Sequence, residues 1–474
     1  MISTSPSNIL ERFASPSLTK FARWLGGACI ITFICTSITL PPFKFGGLDI
    51  YIKFEQVLLP VVIGVYLLLM LAGAARPIRL NGLFVAGAIY MLCILISIWY
   101  GSEVLGQVVI TRDLFELPKV WLPVIFFTMA YEVEWSESAL KRLFVFFGFA
   151  IAFVCFYAWS QWANLSFTYT LNQLYSAGNH DDALFGARRV YATVGNPNIL
   201  GMVMTWALAA FVMAAINRIG NFVWNIVLTL GCLVTLAMTG SRYGLITGSF
   251  TFLLILLLPS ASPQRRRTQL GFLIALVPIL AFMFTVVATS NQHTLERFQT
   301  LRNPLQADSL RERLDSLWPN ALSDIAKSPF FGRGPAKSIY TGIITDSEYL
   351  DVLKQFGIIG FFPYFAYFLF PLYMISRGML DSRRAGHSLE NLLPATVTTL
   401  RLSLVIVITV IIVNIEGSSF YNVPLQAFLW MWMGVGARCA MSIREAALTC
   451  GSIAAPVRQP GYTGPASPKA SLVS

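Results

Sequence analysis

Charged residues are scarce in this sequence. Only 12% of its 474 residues are charged and 56% are hydrophobic, whereas a soluble globular chain carries about 25% charged residues. The mean hydropathy is +0.65. The composition therefore excludes a protein whose main solvent is water, and it predicts an integral membrane protein.

Motifs for metals, redox chemistry and nucleic acids are also lacking. The seven cysteines show no CxxC or metal-ligand spacing, and there are only three histidines. Basic residues outnumber acidic ones by 34 to 23, but no soluble stretch carries a basic stripe with interleaved aromatic residues. We therefore expect no metal, no cofactor and no nucleic-acid partner.

Long apolar runs dominate what is present. Runs of about 18 residues or more with few charges are long enough to cross a bilayer as helices. The sequence predicts an all-α, polytopic bundle of about twelve spans, near residues 21–40, 56–74, 82–100, 117–131, 142–160, 199–216, 221–239, 243–259, 269–289, 355–376, 398–415 and 422–438.

The distribution of basic residues predicts an orientation. If residues 1–20 are cytoplasmic, about 19 Lys and Arg fall on the cytoplasmic side and about 7 in the short loops opposite. Spans 1 to 9 then occupy residues 21–289 and spans 10 to 12 occupy residues 355–438. Residues 439–474, rich in Pro, Gly and Ser towards their end, are predicted to form a flexible cytoplasmic tail.

Two predicted loops on the non-cytoplasmic side are too long to be simple connectors. They cover residues near 161–198 and residues 290–354. Leu310, Leu314 and Leu317 recur at helical spacing in the larger loop. We expect that loop to place one or two amphipathic helices over the mouth of the bundle.

Polar motifs collect on this same side. Arg188 and Arg189 precede the segment GNPNILG, in which Pro197 and the flanking glycines predict a turn and Asn198 is placed to cap the sixth span. That segment is consistent with a helix start and nothing more.

A second motif, TGSRYG, joins the seventh and eighth spans from Thr239 to Gly244. The connection is so short that Arg242 must lie at the membrane surface. A lone interfacial arginine commonly extends its charge into the interface. The positive-inside rule, however, disfavours an arginine on this side of the membrane. A cation held at this position indicates a specific role, such as binding an anionic ligand.

The large loop supplies further candidates. Arg311 and Arg313 lie on a predicted helix beside Glu312 and Asp315, so surface ion pairs are an alternative to ligand binding. A glycine turn, SPFFGRGP, follows from residue 328.

A polar cluster, TDSEYLDVLKQFGIIG, leads into the tenth span. It contains Asp346, Glu348 and Tyr349, and either Asp346 or Ser347 could act only as a helix N-cap.

In the order of these elements the sequence resembles the bacterial O-antigen polymerase and O-antigen ligase superfamily. The resemblance covers roughly Arg188 to Gly360. It consists of the GNPN turn, the SR hairpin, an Arg five residues before a Trp, the P-x-x-G-x-G turn and the polar cluster before GIIG.

The resemblance implies a metal-independent glycosyltransferase of the GT-C type at the periplasmic face of the bacterial inner membrane. Its partners would be an undecaprenyl-diphosphate-linked oligosaccharide, an acceptor glycan (a lipid-linked repeat unit or lipid A core), membrane lipids and a chain-length regulator protein. The resemblance implies Arg242 and Arg313 as catalytic residues and diphosphate or sugar contacts, with Arg189 as a further candidate. The chemistry of this reaction makes Asp346 or Glu348 the candidate proton acceptors. Further candidate substrate contacts are Arg188, Arg311 and Tyr349.

Members that are ligases carry His, usually followed by Asn, where this chain has Asp346 and Ser347. This difference favours a polymerase of O-antigen, capsule or exopolysaccharide repeat units over a ligase. A flippase or secondary transporter is a further alternative, although charged residues near the middle of the spans are scarce.

Overall fold

The structure is a computed structural model. It describes residues 16–44, 51–73, 81–114, 116–175, 189–258, 263–290, 308–335, 345–385, 392–415, 417 and 423–454. Arg188 of the predicted site lies outside these residues.

Twelve long helices in the described part of the chain correspond in order to the twelve predicted spans. They are α1 (Pro16–Thr39), α2 (Phe54–Leu71), α3 (Gly82–Glu103), α4 (Glu116–Glu132), α5 (Glu137–Trp162), α6 (Pro197–Ile216), α7 (Phe222–Met238), α8 (Arg242–Leu257), α9 (Pro263–Ser290), α10 (Glu348–Ala385), α11 (Pro394–Val413) and α12 (Val423–Ala454).

Short elements lie between the long helices. The strands β1 (Phe43–Lys44) and β2 (Tyr51–Ile52) form an antiparallel pair. The short helical segments are Thr111–Leu114, Ser166–Tyr175, Ala192–Val194, Asp308–Glu312, Arg313–Leu317 and Trp318–Lys327.

Seven of the described long helices are long and apolar enough to cross a membrane, namely α1, α2, α3, α5, α6, α10 and α11. The helices α7 and α8 are apolar but shorter. The chain is thus an all-α, multi-pass membrane protein, as the sequence predicts. Helix α10 begins seven residues before the predicted span, at Glu348, and α12 continues through residues 439–454, which the sequence places in the tail.

Helices α6 and α11, with the first part of α12, form the centre of the bundle. Nearly every side chain of α6 is buried, and the Trp206 indole of α6 donates a hydrogen bond of 3.2 Å to the Thr409 hydroxyl of α11. By contrast, few residues of α2 are buried. Helix α2 therefore lies at the periphery, where its apolar side chains suit a lipid environment.

The helix ends define two faces. We call the end that carries residues 239–241 the hairpin face; there the Tyr243 hydroxyl donates to the Val413 carbonyl, and the Glu348 amide donates to the Asn414 carbonyl. At the opposite face Asn217 donates to Thr398, and the Glu137 carboxylate accepts from the amide of Thr396. The two sets of contacts fix which ends of α6, α8, α10 and α11 lie together.

The predicted helix in the large loop is present, with one irregularity. Residues 308–327 are helical, but the turn Arg313–Leu317 is wide, and the Trp318 amide bonds to the Arg313 carbonyl, five residues back. Pro319 follows, and proline has no amide hydrogen and collides with the carbonyl four residues earlier. The wider turn accommodates the proline without ending the helix.

Candidate active site

The GNPN turn ends in a helix start that differs from the prediction. Gly195 has a φ of +77°, and the Asn196 side chain accepts hydrogen bonds from the amides of Asn198 and Ile199. Asn196 is therefore the N-cap of α6, with Pro197 as the first helical residue, and the prediction that Asn198 caps the span is wrong. The Asn198 side chain is left to make other contacts.

Asn198 joins Arg189 to the hairpin. Its side-chain oxygen accepts from the Arg189 guanidinium at 3.1 Å and from the Ser241 hydroxyl at 2.8 Å. Arg189 also donates through Nε to the Thr239 carbonyl at 3.1 Å. These bonds bring the predicted contact Arg189 against the hairpin that carries Arg242.

Arg242 is the first residue of α8 and is half-buried. Ser241 caps the helix by accepting from the Gly244 amide at 3.0 Å. The N-terminus of a helix carries partial positive charge, so a cation there is electrostatically unfavourable. An anion, by contrast, is attracted both by the helix N-terminus and by the Arg242 guanidinium. Arg242 and the α8 N-terminus together form a positively charged corner on the hairpin face.

This corner is held close to α6. Gly201 of α6 and Gly244 of α8 pack backbone to backbone, and a Cβ on either would lie 3.0 Å from the other's Cα. Small residues allow such close approach between membrane helices. The contact positions Arg189, Asn198 and Arg242 in one place.

Arg313 and Asp346 form an ion pair across the large loop. The Arg313 guanidinium donates to Asp346 Oδ2 through Nη2 at 3.1 Å and through Nε at 3.3 Å. Asp346 has a φ of +51°, a left-handed conformation that is uncommon for a residue other than glycine. Arg313 therefore pairs with Asp346, whereas the sequence had suggested the nearby Glu312 or Asp315 as its partner.

The backbone beside Asp346 is fixed by further hydrogen bonds. The Trp318 indole donates to the Thr345 carbonyl at 3.1 Å, and the Thr345 hydroxyl donates to the Ser347 carbonyl at 3.0 Å. Asp346 nevertheless remains 43% exposed, whereas Arg313 is 13% exposed. The carboxylate is thus accessible from the hairpin face while its partner is largely covered.

Glu348 and Tyr349 face inwards. Glu348 is buried, and its amide donates to the carbonyls of Asn414 and Gly417. The Tyr349 hydroxyl donates to the Ile411 carbonyl at 2.5 Å. Both residues connect α10 to the end of α11, which makes them less suited than Asp346 to contact a substrate.

Tyr243 links the two groups of residues. Its hydroxyl donates to the Val413 carbonyl at 3.2 Å and packs against Gly417, whose carbonyl accepts from the Glu348 amide. Residues 413–415 and 417 thus lie between the Arg242 corner and the start of α10. Arg311 is exposed on the loop helix, one residue before Glu312.

The P-x-x-G-x-G turn inserts into a break in α10. Gly357 has non-helical angles (φ +61°, ψ −168°) within α10. The amides of Ile358 and Ile359 donate to the carbonyls of Pro329 and Phe330, and the amides of Arg333 and Gly334 donate to the carbonyls of Lys354 and Gln355. The turn therefore satisfies backbone groups that the break leaves without helical partners.

Arg333 is a residue that the sequence analysis missed. Its guanidinium donates to the Asp324 carboxylate at 2.6 Å, and both side chains are largely buried. Asp324 also pairs with Lys327 at 3.0 Å. The pairing joins the loop helix to the inserted turn, and only the glycines of GRGP in the sequence pointed to this segment.

Lys53 is a second missed cation on the hairpin face. It is fully buried, and its ammonium donates to the Leu40 carbonyl at 2.5 Å. Burial lowers the pKa of Lys53 to about 8, against the opposing effect of the nearby Glu55 charge. Lys53 joins the ends of α1 and α2 and makes no described contact with Arg242 or Asp346.

The described residues contain no group of three or more His, Cys, Asp or Glu side chains that could hold a metal ion. The site is built instead from arginines, carboxylates and amides. Such groups can bind an anion bidentately and accept a proton.

Fold and site together define a multi-pass helical membrane protein with a polar, arginine-bearing site on one face. A model of the O-antigen ligase family matches residues 226–365, from α7 into α10. The match confirms, over this segment, the predicted resemblance to the O-antigen polymerase and ligase superfamily. It includes Arg242, Arg313, Asp346 and Glu348, whereas Arg189 lies before it.

No curated protein matches the chain. The family match supports a function of the O-antigen ligase or polymerase type, that is, an enzyme acting on lipid-linked glycans.

Proposed function

We propose that the protein is a glycosyltransferase that polymerises undecaprenyl-diphosphate-linked oligosaccharide repeat units of O-antigen, capsule or exopolysaccharide. The observation that carries the proposal is the Arg242 corner, with Arg189 beside it, on the same face as the exposed Asp346 carboxylate. We place this face in the periplasm and the membrane as the bacterial inner membrane. The excess of Lys and Arg on the opposite side supports this orientation.

The chemistry fits these residue types. A hydroxyl of the acceptor attacks the anomeric carbon of the donor sugar, the glycosidic bond to the diphosphate breaks, and the diphosphate leaves with the electron pair. Guanidinium donors stabilise the negative charge that develops on the leaving group. Asp346 accepts the proton of the hydroxyl.

Within this proposal Arg242 and Arg189 contact the diphosphate, and Arg313 positions Asp346. Arg311, exposed on the loop helix, and Arg188 are additional candidates for sugar contacts. Glu348 and Tyr349 support the start of α10 through their bonds to Ile411, Asn414 and Gly417. The reaction as proposed uses no metal or organic cofactor.

The second candidate is an O-antigen ligase that transfers the glycan to lipid A core. The family description favours it. Asp346 favours the polymerase, because ligases of the superfamily that the chain resembles carry His at this position. The two activities share the donor and the site and differ in the acceptor.

The break in α10 also bears on the transporter alternative, because discontinuous helices are typical of transporters. In those proteins the unwound backbone lines a substrate cavity. Here residues 329–334 occupy the break and bond to its backbone groups. The break therefore supports a fixed loop over the site better than it supports a transport path.

Deletion of the gene tests the proposal. We expect single repeat units to remain on their acceptor and long polymer to disappear, as seen by gel electrophoresis of the extracted glycan. Accumulation of long polymer on its lipid carrier, with none on the acceptor, would show a ligase instead. A chain-length regulator as partner would appear as a changed modal length when that protein is absent.

A further inference from the structure

A basic cavity lies at the opposite face, away from the proposed active site. Helices α10 and α12 touch at Gly378 and Ala440, where a Cβ on Gly378 would overlap the Ala440 side chain. Beside this contact the two helices line a cavity of about 670 Å³. Its volume is in the range of small-molecule sites.

Three arginines line the cavity together with a single carboxylate. Arg377 and Arg384 come from α10 and Arg444 from α12, and Asp381 is the acidic member. The Asp381 carboxylate lies 3.9 Å from the Arg384 guanidinium, whose side chain is 82% exposed. The lining therefore carries a net positive charge, which favours an anion.

Arg377 is held in place by an aromatic neighbour. Its guanidinium donates to the Tyr373 hydroxyl at 2.7 Å and lies 6.0 Å from the centroid of that ring. Tyr373 itself lines the cavity. One guanidinium of the cavity is thus oriented before any ligand binds, which lowers the entropic cost of binding.

An exposed apolar stripe leads from the cavity along α10. Phe362, Leu369, Tyr373 and Leu380 are all exposed, and their spacings of seven, four and seven residues place them on one side of the helix. Tyr373 and Leu380 also line the cavity. A ligand with a charged head in the cavity and apolar chains along the stripe would contact both features.

We propose that this cavity binds the headgroup of an anionic phospholipid, whose acyl chains lie along the α10 stripe. The guanidinium groups of Arg377, Arg384 and Arg444 contact the phosphate. A basic pocket between membrane helices is the kind of site that recognises anionic headgroups. The stripe distinguishes a lipid from free phosphate, which would use the cavity alone.

Native mass spectrometry of the purified full-length protein tests the proposal. The wild-type protein is titrated with phosphatidylglycerol and, separately, with phosphatidylcholine of the same acyl chains. We expect a preference of at least about tenfold for phosphatidylglycerol, since each arginine near a phosphate contributes about fivefold. Arg377→Gln, Arg384→Gln and Arg444→Gln combined should abolish the preference.

Arg383→Gln is the matched control, because Arg383 is an exposed neighbour of Arg384 that does not line the cavity. It should keep the wild-type preference. Equal binding of the two lipids by the wild-type protein, or equal loss in the control, would overturn the proposal. Should inorganic phosphate compete as well as the lipid, the ligand is a free anion and the lipid assignment fails.

Where the triple variant does not fold, Leu380→Asp on the wild-type arginine background provides a second measurement. It places a negative charge where the acyl chains meet the head and should weaken phosphatidylglycerol binding by about tenfold while phosphatidylcholine binding stays low. Unchanged binding in Leu380→Asp would remove the stripe from the site.

Discussion

Arg242 and Arg313 are the same side chain in different surroundings. Arg313 is mostly covered and directs two N–H groups at Asp346. Arg242 starts α8 beside Arg189, at a helix end that disfavours a cation unless an anion is present. Within the proposed function we therefore assign a positioning role to Arg313 and a ligand-contact role to Arg242.

The replacement Arg242→Lys tests the ligand-contact role. A planar guanidinium gives two parallel hydrogen bonds to phosphate oxygens, and an ammonium does not. We expect normal protein levels and a loss of roughly ten- to a hundredfold in polymerisation rate, the equivalent of about 1.5 to 3 kcal/mol. The measurement is polymer formation from lipid-linked repeat units in membranes.

Arg142→Lys serves as the control for this variant, because Arg142 is exposed near the start of α5, at the opposite face. It should lose less than Arg242→Lys. Near-normal polymer from Arg242→Lys at a normal protein level would assign Arg242 to the membrane interface and remove it from the site.

Asp346→Asn tests the proton-accepting role. The amide keeps the shape and can still accept one hydrogen bond from Arg313, but it cannot take a proton at neutral pH. We expect a loss of about a hundredfold or more in rate with wild-type substrate binding. Arg313→Lys, which keeps a charge beside Asp346, should be milder, and the reverse order of severity would contradict the assigned roles.

Sequence reasoning named Arg313 and Asp346 but not their pairing. The two residues are 33 positions apart, and local partners were available to each, namely Glu312 or Asp315 for the arginine and the start of α10 for the aspartate. A contact between distant positions depends on how the loop packs, and spacing within one helix carries no information on that. The same reason hid the pairing of Arg333 with Asp324.

At the scale of elements, the inserted turn and the break in α10 depend on each other. Gly357 is the break, and a Cβ there would overlap the Phe330 carbonyl oxygen. Gly332 approaches the backbone of Gln355 equally closely. The glycines in SPFFGRGP predicted a turn, but its docking into a membrane helix was not predictable, because helix periodicity continues through residue 357.

Gly357→Ala should therefore destabilise the protein. The combination of φ +61° and ψ −168° is essentially restricted to glycine and costs about 1 to 3 kcal/mol for a residue with a Cβ, and displacement of the turn adds to that cost. We expect a melting temperature several degrees lower in detergent, measured by thermal unfolding, and lower polymer yield.

Gly64→Ala is the matched control, since Gly64 lies within α2 and a Cβ there meets nothing within 4 Å. It should be neutral or raise the melting temperature, because alanine favours a helix over glycine by about 1 kcal/mol. An equal drop in melting temperature in Gly357→Ala and Gly64→Ala would mean that stability does not depend on the break in α10.

At the scale of the whole molecule, the order of the twelve helices was predictable from the sequence. The bilayer requires about 20 apolar residues for each crossing, so the helices are visible as runs of composition. Their ends were less predictable: α10 starts at Glu348 and α12 reaches Ala454, because polar residues extend these helices beyond the hydrocarbon. Which helices lie at the centre depends on packing and was not predicted.

The orientation of the bundle is the prediction on which the proposed site depends, and single cysteines test it in a variant that lacks the seven native ones. Ser166 and Ser323 are exposed on the loops of the hairpin face, and Ser138 is exposed in the first turn of α5 at the other face. We expect a membrane-impermeant thiol reagent to label Ser166→Cys and Ser323→Cys in intact cells. Ser138→Cys should react only after the cells are opened.

This expectation follows from the distribution of Lys and Arg, because loops rich in these residues stay on the cytoplasmic side when the protein is inserted into the membrane. The three arginines of the cavity at the opposite face, Arg377, Arg384 and Arg444, belong to that excess. Labelling of Ser138→Cys in intact cells, with Ser166→Cys and Ser323→Cys protected, would put Arg242 and Asp346 in the cytoplasm. The site would then lie on the wrong side for a periplasmic glycan donor, and the proposed polymerase would fail with the orientation.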